Sequence, residues 1–570
     1  MKRYWNHLVK STEQTVKRFV TMQIMDPDSP EYGRMPSDVI EGKQTIYLLT
    51  DAVCLYCLSD SKYYHSPVLL NHISAALLFV EHWQRPDGSL DFPTCNFYSA
   101  PDTGFCFRRL YGAWRILTQS GDNNTERLAD RYLKILLKCL PIMLTGGFHT
   151  PNHRWAVTSV LSCLRLLVQQ FPQAAMEVPH FPIPFESPEA LENAITARMD
   201  QYLGEGIDGD QDGEYAERST GGYNAVVDKC LITLYESTKD PEYLGYVTRN
   251  LEMMLYYIEP DDSIFTQNST RQDHGNRMYP DTYFPLYCFM AAQTGNPLFD
   301  KAAHKIIRDN QKRGAHAPDC LYLFMMNPKM RAYQFRGYGY LDTYRRFFSG
   351  SQVLRVKRED YSYSILNHNP HFLFLHFRKM PIAVKIGTSY CDVRNFVPQK
   401  MLLTDTGCTL SARINGWYYQ PFEQSPPSSD WWAMDHSKRE RINTSDLNTT
   451  VEICELERGL DIHVKTEGLD GLPLRVEIRI PSGAALSSDA FYTIAEKGGS
   501  MVLRQGTLSV TKGSETILIG PGYGTHTFKG HYSGEEGNAN GYTLFLNDYT
   551  PYQRSFSIRL KEPDSAEKRL

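Results

Sequence analysis

The chain has 570 residues, 42% hydrophobic and 22% charged, with a formal net charge of −5. That length exceeds one compact core and predicts two or three domains, and the acidic balance excludes nucleic acid as a main partner. No run of about 18 apolar residues occurs, so no membrane span is predicted. No apolar export segment follows residues 1–7, which makes a cytoplasmic location the expectation. The twelve cysteines then read as reduced thiols. Cys54 and Cys57 form a C-x-x-C inside an apolar helical pattern with no partner pair or nearby His, so no metal is predicted there. The 36 Tyr and 7 Trp suit stacking on sugar faces and equally suit large cores.

From residue 1 to 345 the pattern is helical. Amphipathic stretches cover 67–82, 105–120, 126–144, 154–171, 188–204, 223–237, 241–258, 281–294 and 297–311, with short polar loops between them. The loops carry an internal echo. Pro86-Asp87-Gly88-Ser89-Leu90-Asp91, Asp210-Gln211-Asp212-Gly213-Glu214-Tyr215 and Pro260-Asp261-Asp262-Ser263-Ile264-Phe265 each follow a helix. Recurring loops after recurring helices predict helical hairpins around a common axis, an α/α toroid or incomplete barrel with its loops at one rim.

From about 346 the period shortens. Runs at 362–365, 372–377, 382–386, 462–465, 474–480, 516–519, 542–546 and 555–560 are short and β-rich. In 474–480 one face is wholly apolar (Leu474, Val476, Ile478, Ile480) and the other charged (Arg475, Glu477, Arg479), the pattern of a half-buried antiparallel strand. An antiparallel β-sandwich over 346–561 is predicted, with a charged, disordered tail at 562–570. Among its aromatics, Trp417 belongs to a Trp-Tyr-Tyr run beside a polar loop and is a candidate sugar contact.

Three polar segments carry candidate chemistry. In Thr150-Pro151-Asn152-His153-Arg154-Trp155, Thr150 suits an N-cap and Pro151 the first helical position. Asn152, His153 and Arg154 then share a first turn whose backbone N–H groups favour an anion and a neutral imidazole. The stretch 212–224 supplies Glu217, Arg218 and two phenols, Tyr215 and Tyr223, either of which suits general acid–base work beside a cation. The loop 268–277 places His274 between Arg271 and Arg277, a set that suits a sugar carboxylate or sulfate. Tyr98, after the first echoing loop, is a candidate sugar platform. Phosphate-binding, dinucleotide, nucleophile-elbow and H-E-x-x-H patterns are missing.

An Asn-His helix start, an Asp-Gly-x-Tyr-x-Glu loop leading to a Tyr, and helices followed by strands together resemble the heparinase II/III-like polysaccharide lyases. That family's loop reads Asp-Gly-Ser-Tyr-x-Glu-Gly-Pro-x-Tyr. Here the Gly-Pro is absent and the spacing is longer, so Tyr215 and Tyr223 both stay open as the equivalent. The His-x-His-x-Asp of many members' β region is not found. The resemblance implies β-elimination at a 4-O-linked uronic acid, with an acidic oligosaccharide as partner and no cofactor. Asn152, the helix start and Arg154 would hold the carboxylate. His153 or a Tyr would take the C5 proton, and Tyr223 or Tyr215 would protonate the leaving oxygen. Other classes fit the same residues: a glycoside hydrolase on an (α/α) barrel using Asp102 with Asp212 or Glu217, a uronyl C5-epimerase, or a carbohydrate-binding protein without turnover.

Overall fold

A computed structural model describes residues 1–181, 184–530 and 537–561; the predicted tail at 562–570 lies outside them. The chain divides into two compact units, Met1–Ile258 with Ser263–Tyr340, and Glu259–Asp262 with Leu341–Leu570.

The first unit is an α/α toroid. Helices Lys43–Cys57, Ala100–Thr118, Pro151–Gln170, Tyr223–Thr238 and Phe284–Thr294 form an inner ring, each packed on the next. Each is backed by an outer helix: Pro67–Trp83, Asn123–Lys138, Pro188–Leu203, Glu242–Leu255 and Pro297–Lys312. The inner helices carry apolar side chains nearly all round, as burial on both sides requires; every residue from Phe284 to Ala291 is buried. Helix Lys2–Met22 closes the ring by packing on both Lys43–Cys57 and Pro297–Lys312, with a hydrogen bond between Tyr4 Oη and His304 Nε2 at 2.9 Å. Among the described residues, no helix is long and apolar enough to cross a membrane.

Local chemistry sets the helix starts. Ser66, Ser99, Asp122, Ser187 and Asn296 each accept a backbone N–H in the first turn of the helix they cap. The stretch expected as one helix over 126–144 is two, because Pro141 has no N–H to continue the ladder; Leu140–Thr145 starts afresh there. The echoing loops share a backbone conformation. Gly88 (φ +86°), Gly213 (φ +88°) and Asp262 (φ +65°) take left-handed φ at the same place in each. A Cβ on Gly88 or Gly213 would also strike the carbonyl of Lys138 or Arg249, each in an outer helix. Starts of inner helices meet at one rim: Lys43 Nζ donates to Asp102 at 3.4 Å, and Tyr283 Oη donates to the Thr220 carbonyl at 2.6 Å.

Among the described residues, the second unit holds two nine-stranded sheets. One runs, by strand, 344–348, 353–357, 361–366, 373–377, 380–390, 473–481, 541–549 and 500–502, with 393–395 on the fifth. The other runs 492–494, 485–487, 508–512, 515–520, 553–560, 459–468, 441–456, 407–419 and 400–404. Among the described residues, these strands pair antiparallel except 500–502 with 541–549, which is parallel. Inward residues such as Val384, Ile453, Ile462, Val476 and Ile558 form one core. The strand Pro473–Pro481 departs from expectation, because its charged face is covered as well. Arg475 and Glu477 are buried; Lys385 Nζ lies 3.1 Å from Glu477, and Arg475 donates to Ser389 Oγ at 3.1 Å. Alternation reports which residues share a face, while burial of that face depends on what later chain lays over it. Glu259, from the third echoing loop, pairs with Arg355 at 2.7 Å in this unit.

Candidate active site at the toroid rim

Helix Pro151–Gln170 begins where predicted, but Thr150 does not cap it with its side chain. Its hydroxyl instead accepts from Asn152 Nδ2 at 3.0 Å. The anion at this helix end is the protein's own Glu217. It accepts from the Asn152 backbone N–H at 3.0 Å and from Nδ2 at 2.8 and 2.9 Å. A carboxylate at a helix N-terminus is favoured by the free N–H groups and the dipole. Asn152 is fully buried, and its Oδ1 has no hydrogen-bond partner among the described residues. Next to it, His153 is half-buried with Nδ1 unpartnered. Burial holds this imidazole below its usual pKa, against the pull of Asp102; His149, Arg271 and Lys43 reinforce the lowering. The cause first expected was the helix field, whereas desolvation dominates.

Glu217 also ties this turn to the 268–277 loop. Arg271 Nε lies 3.3 Å from Glu217 Oε1, and Thr270 Oγ1 donates to the Glu217 carbonyl at 2.9 Å. The Arg271 guanidinium stands 5.1 Å from the centre of the Tyr223 ring. Tyr223, half-exposed at the first position of its helix, donates through Oη to Gln272 at 3.2 Å. Asp273 holds the two loops together, accepting from Ser219 Oγ at 2.9 Å and from Gly221 N–H at 2.8 Å. A Cβ at Gly221 would lie 2.9 Å from Asp273 Oδ2 and 3.0 Å from its Cβ, crowding that approach.

The two phenols part company. Tyr215 is 3% exposed and donates to buried Asp228 at 2.8 Å. Burial, with Asp228 beside it, pushes its pKa well up. It packs as an anchor of the loop, and Tyr223 is the phenol at the rim. Arg154 is likewise spent inside the fold. It donates to the Tyr202 and Gly206 carbonyls at 3.1 and 2.7 Å and pairs with Asp208 at 3.1 Å, so the expected carboxylate role does not fit its position. Arg218 is half-buried in left-handed backbone (φ +48°). His274 and Arg277 are exposed; His274 Nδ1 bonds to the Ser269 carbonyl at 2.9 Å, and Arg277 donates to Tyr279 Oη at 3.2 Å. Tyr98 is 59% exposed beneath the Arg85 guanidinium, 4.2 Å away. Trp417 lies in the second unit with Arg441 4.1 Å over its ring.

One member of the rim escaped the sequence reading. Lys43 opens an inner helix and reaches Asp102 at 3.4 Å, with its ammonium 4.4 Å from Phe92 and 5.4 Å from Phe105. Phe105 in turn packs edge-on to His153 at 5.8 Å. Burial opposes the Lys43 charge, and Asp102 more than restores it, raising the pKa. A signal existed: a lysine at a helix N-terminus opposes the dipole. Asp102 also accepts from Asn96 and Ser99 at 2.9 and 2.8 Å.

A helical toroid followed by an antiparallel β unit is a fold shared with solved polysaccharide lyases, heparinase III among them. Among solved structures, the chain is similar to Paenibacillus xanthan lyase (10% identity, TM-score 0.56), covering 98% of this chain and 57% of that one. It is similar over 99% of its length to 80% of the Streptomyces coelicolor A3 chondroitin AC lyase solved with chondroitin sulphate (11% identity, TM-score 0.54). It also matches heparinase III (8% identity, TM-score 0.56), covering 98% of this chain and 86% of that one. The chain thus spans little more than half of the xanthan lyase. No family model and no curated protein sequence matches it.

Proposed function

We propose that the protein is a lyase that cleaves a 4-O-linked uronic acid glycoside by β-elimination. The observation that carries this reading is the position of Arg271. It stands over Tyr223 and beside the Glu217–Asn152 pair that opens the His153 helix, so a cation, a phenol and a neutral imidazole gather at one rim. The Nη groups of Arg271 have no acceptor among the described residues, which leaves its fork to take the substrate carboxylate. Neutralising that carboxylate is what makes the C5 proton removable. His153 then takes the proton, the C5–H electron pair becomes the C4–C5 double bond, the C4–O bond breaks, and the Tyr223 hydroxyl gives its proton to the leaving oxygen. Solvent returns the proton from His153 to Tyr223.

The test is a screen of uronate-containing oligosaccharides for the ultraviolet absorbance of a conjugated unsaturated uronate. A saturated non-reducing uronate among the products refutes elimination in favour of hydrolysis. Solvent deuterium at C5 without chain cleavage refutes it in favour of epimerisation.

A further inference from the structure

Away from the rim, helices of the first unit line a second, partly open pocket. A cavity of about 70 Å³ lies among helices Ala100–Thr118, Pro151–Gln170, Tyr223–Thr238, Phe284–Thr294 and Leu321–Met326. Its charged lining is Arg108, Arg115, Lys229 and Glu236, set in walls that include Phe107, Tyr111, Phe289 and Met326. Arg108 and Lys229 each lie about 9 Å along their helices from Asp102 and Tyr223, at about 1.5 Å per residue, so the cavity is separate from the rim.

Three cations therefore face one carboxylate in an apolar chamber. Among the described residues, none of the four forms an ion pair within 4.0 Å. Among the described residues, the Arg108 side chain donates to the Cys230 thiol at 3.4 Å and Lys229 Nζ to Thr282 Oγ1 at 3.4 Å. Burial, with Arg108 and Arg109 nearby, lowers the Lys229 ammonium to about 8. Three cations to one carboxylate leave the lining with a net positive charge, which an entering anion relieves. The walls select for an apolar body rather than a sugar. The size is limiting: at roughly 10–15 Å³ per water, the cavity holds about five waters.

We propose that this cavity binds a small aliphatic carboxylate of about six non-hydrogen atoms, its carboxylate among Arg108, Arg115 and Lys229 and its chain against the aromatic wall. The site is independent of the reaction proposed at the rim.

Butyrate and its uncharged isostere butyramide are titrated into the full chain and followed by ligand-observed NMR. The expected result is saturable butyrate binding, at least tenfold tighter than butyramide. Arg108→Met should weaken butyrate at least tenfold, while Lys17→Met, on an exposed outer face, leaves it unchanged. Equal binding of the two ligands, no saturable binding, or equal effects of the two substitutions overturns the proposal. The comparison of ligands uses the unaltered protein and decides the matter even if Arg108→Met fails to fold.

Discussion

Replacing Glu217 by Ala tests the central joint of the rim. The substitution takes away the acceptor of the Asn152 backbone N–H, two contacts from Asn152 Nδ2 and the partner of Arg271 Nε. Asn152 is fully buried, so its backbone N–H finds no water; an orphaned donor costs about 1–3 kcal/mol, and a lost hydrogen bond to a charged group about 1.5–3 kcal/mol. Nδ2 keeps Thr150 Oγ1, which limits the second loss. The Arg271 contact is long and partly open to solvent, so it adds at most about 1 kcal/mol. The expected destabilisation is about 3–5 kcal/mol, read by urea denaturation of the full chain. Glu217→Gln should cost less, about 1–2 kcal/mol. Its carbonyl keeps the Asn152 N–H, and its amide can turn to the unpartnered Asn152 Oδ1. An Ala variant within about 1 kcal/mol of the parent, or a Gln variant as unstable as Ala, refutes the reasoning.

Tyr223→Phe should lower turnover about 100- to 10,000-fold with little change in stability, as expected for loss of a general acid. Tyr215→Phe should do the reverse, destabilising by about 1–3 kcal/mol through the abandoned Asp228 carboxyl; equal turnover losses would contradict the division of roles. His153 should leave a pH signature. Its folded pKa lies below the unfolded value near 6.5, so the unfolded chain binds more protons in that window. Stability is therefore complete above about 6.5 and falls as the pH drops toward the folded pKa. His153→Gln should remove that acid-side loss, together with the acid limb of the rate profile. An unchanged acid limb in the variant would discharge His153 as the base.

Local rules carried much of the architecture into the sequence. Helical and strand periods separate the two halves, and the repeated Asp-containing turn reports hairpins around an axis, because each depends on neighbours within a few residues. The site was legible as segments: 150–155, 212–224 and 268–277 do meet, through Glu217, Arg271 and Asp273. What sequence could not decide was which member of each segment turns inward. Tyr215 and Tyr223, or Arg154 and Arg271, are equivalent by composition. They differ because Asp228, Asp208 and the Tyr202 carbonyl, brought in by tertiary packing, bury one of each pair. The same holds for the helix end, which reads locally as an empty anion site and is filled by a carboxylate 65 residues further on. Spacing determines the elements and their faces; long-range burial alone determines which polar groups are consumed by the fold and which remain for chemistry.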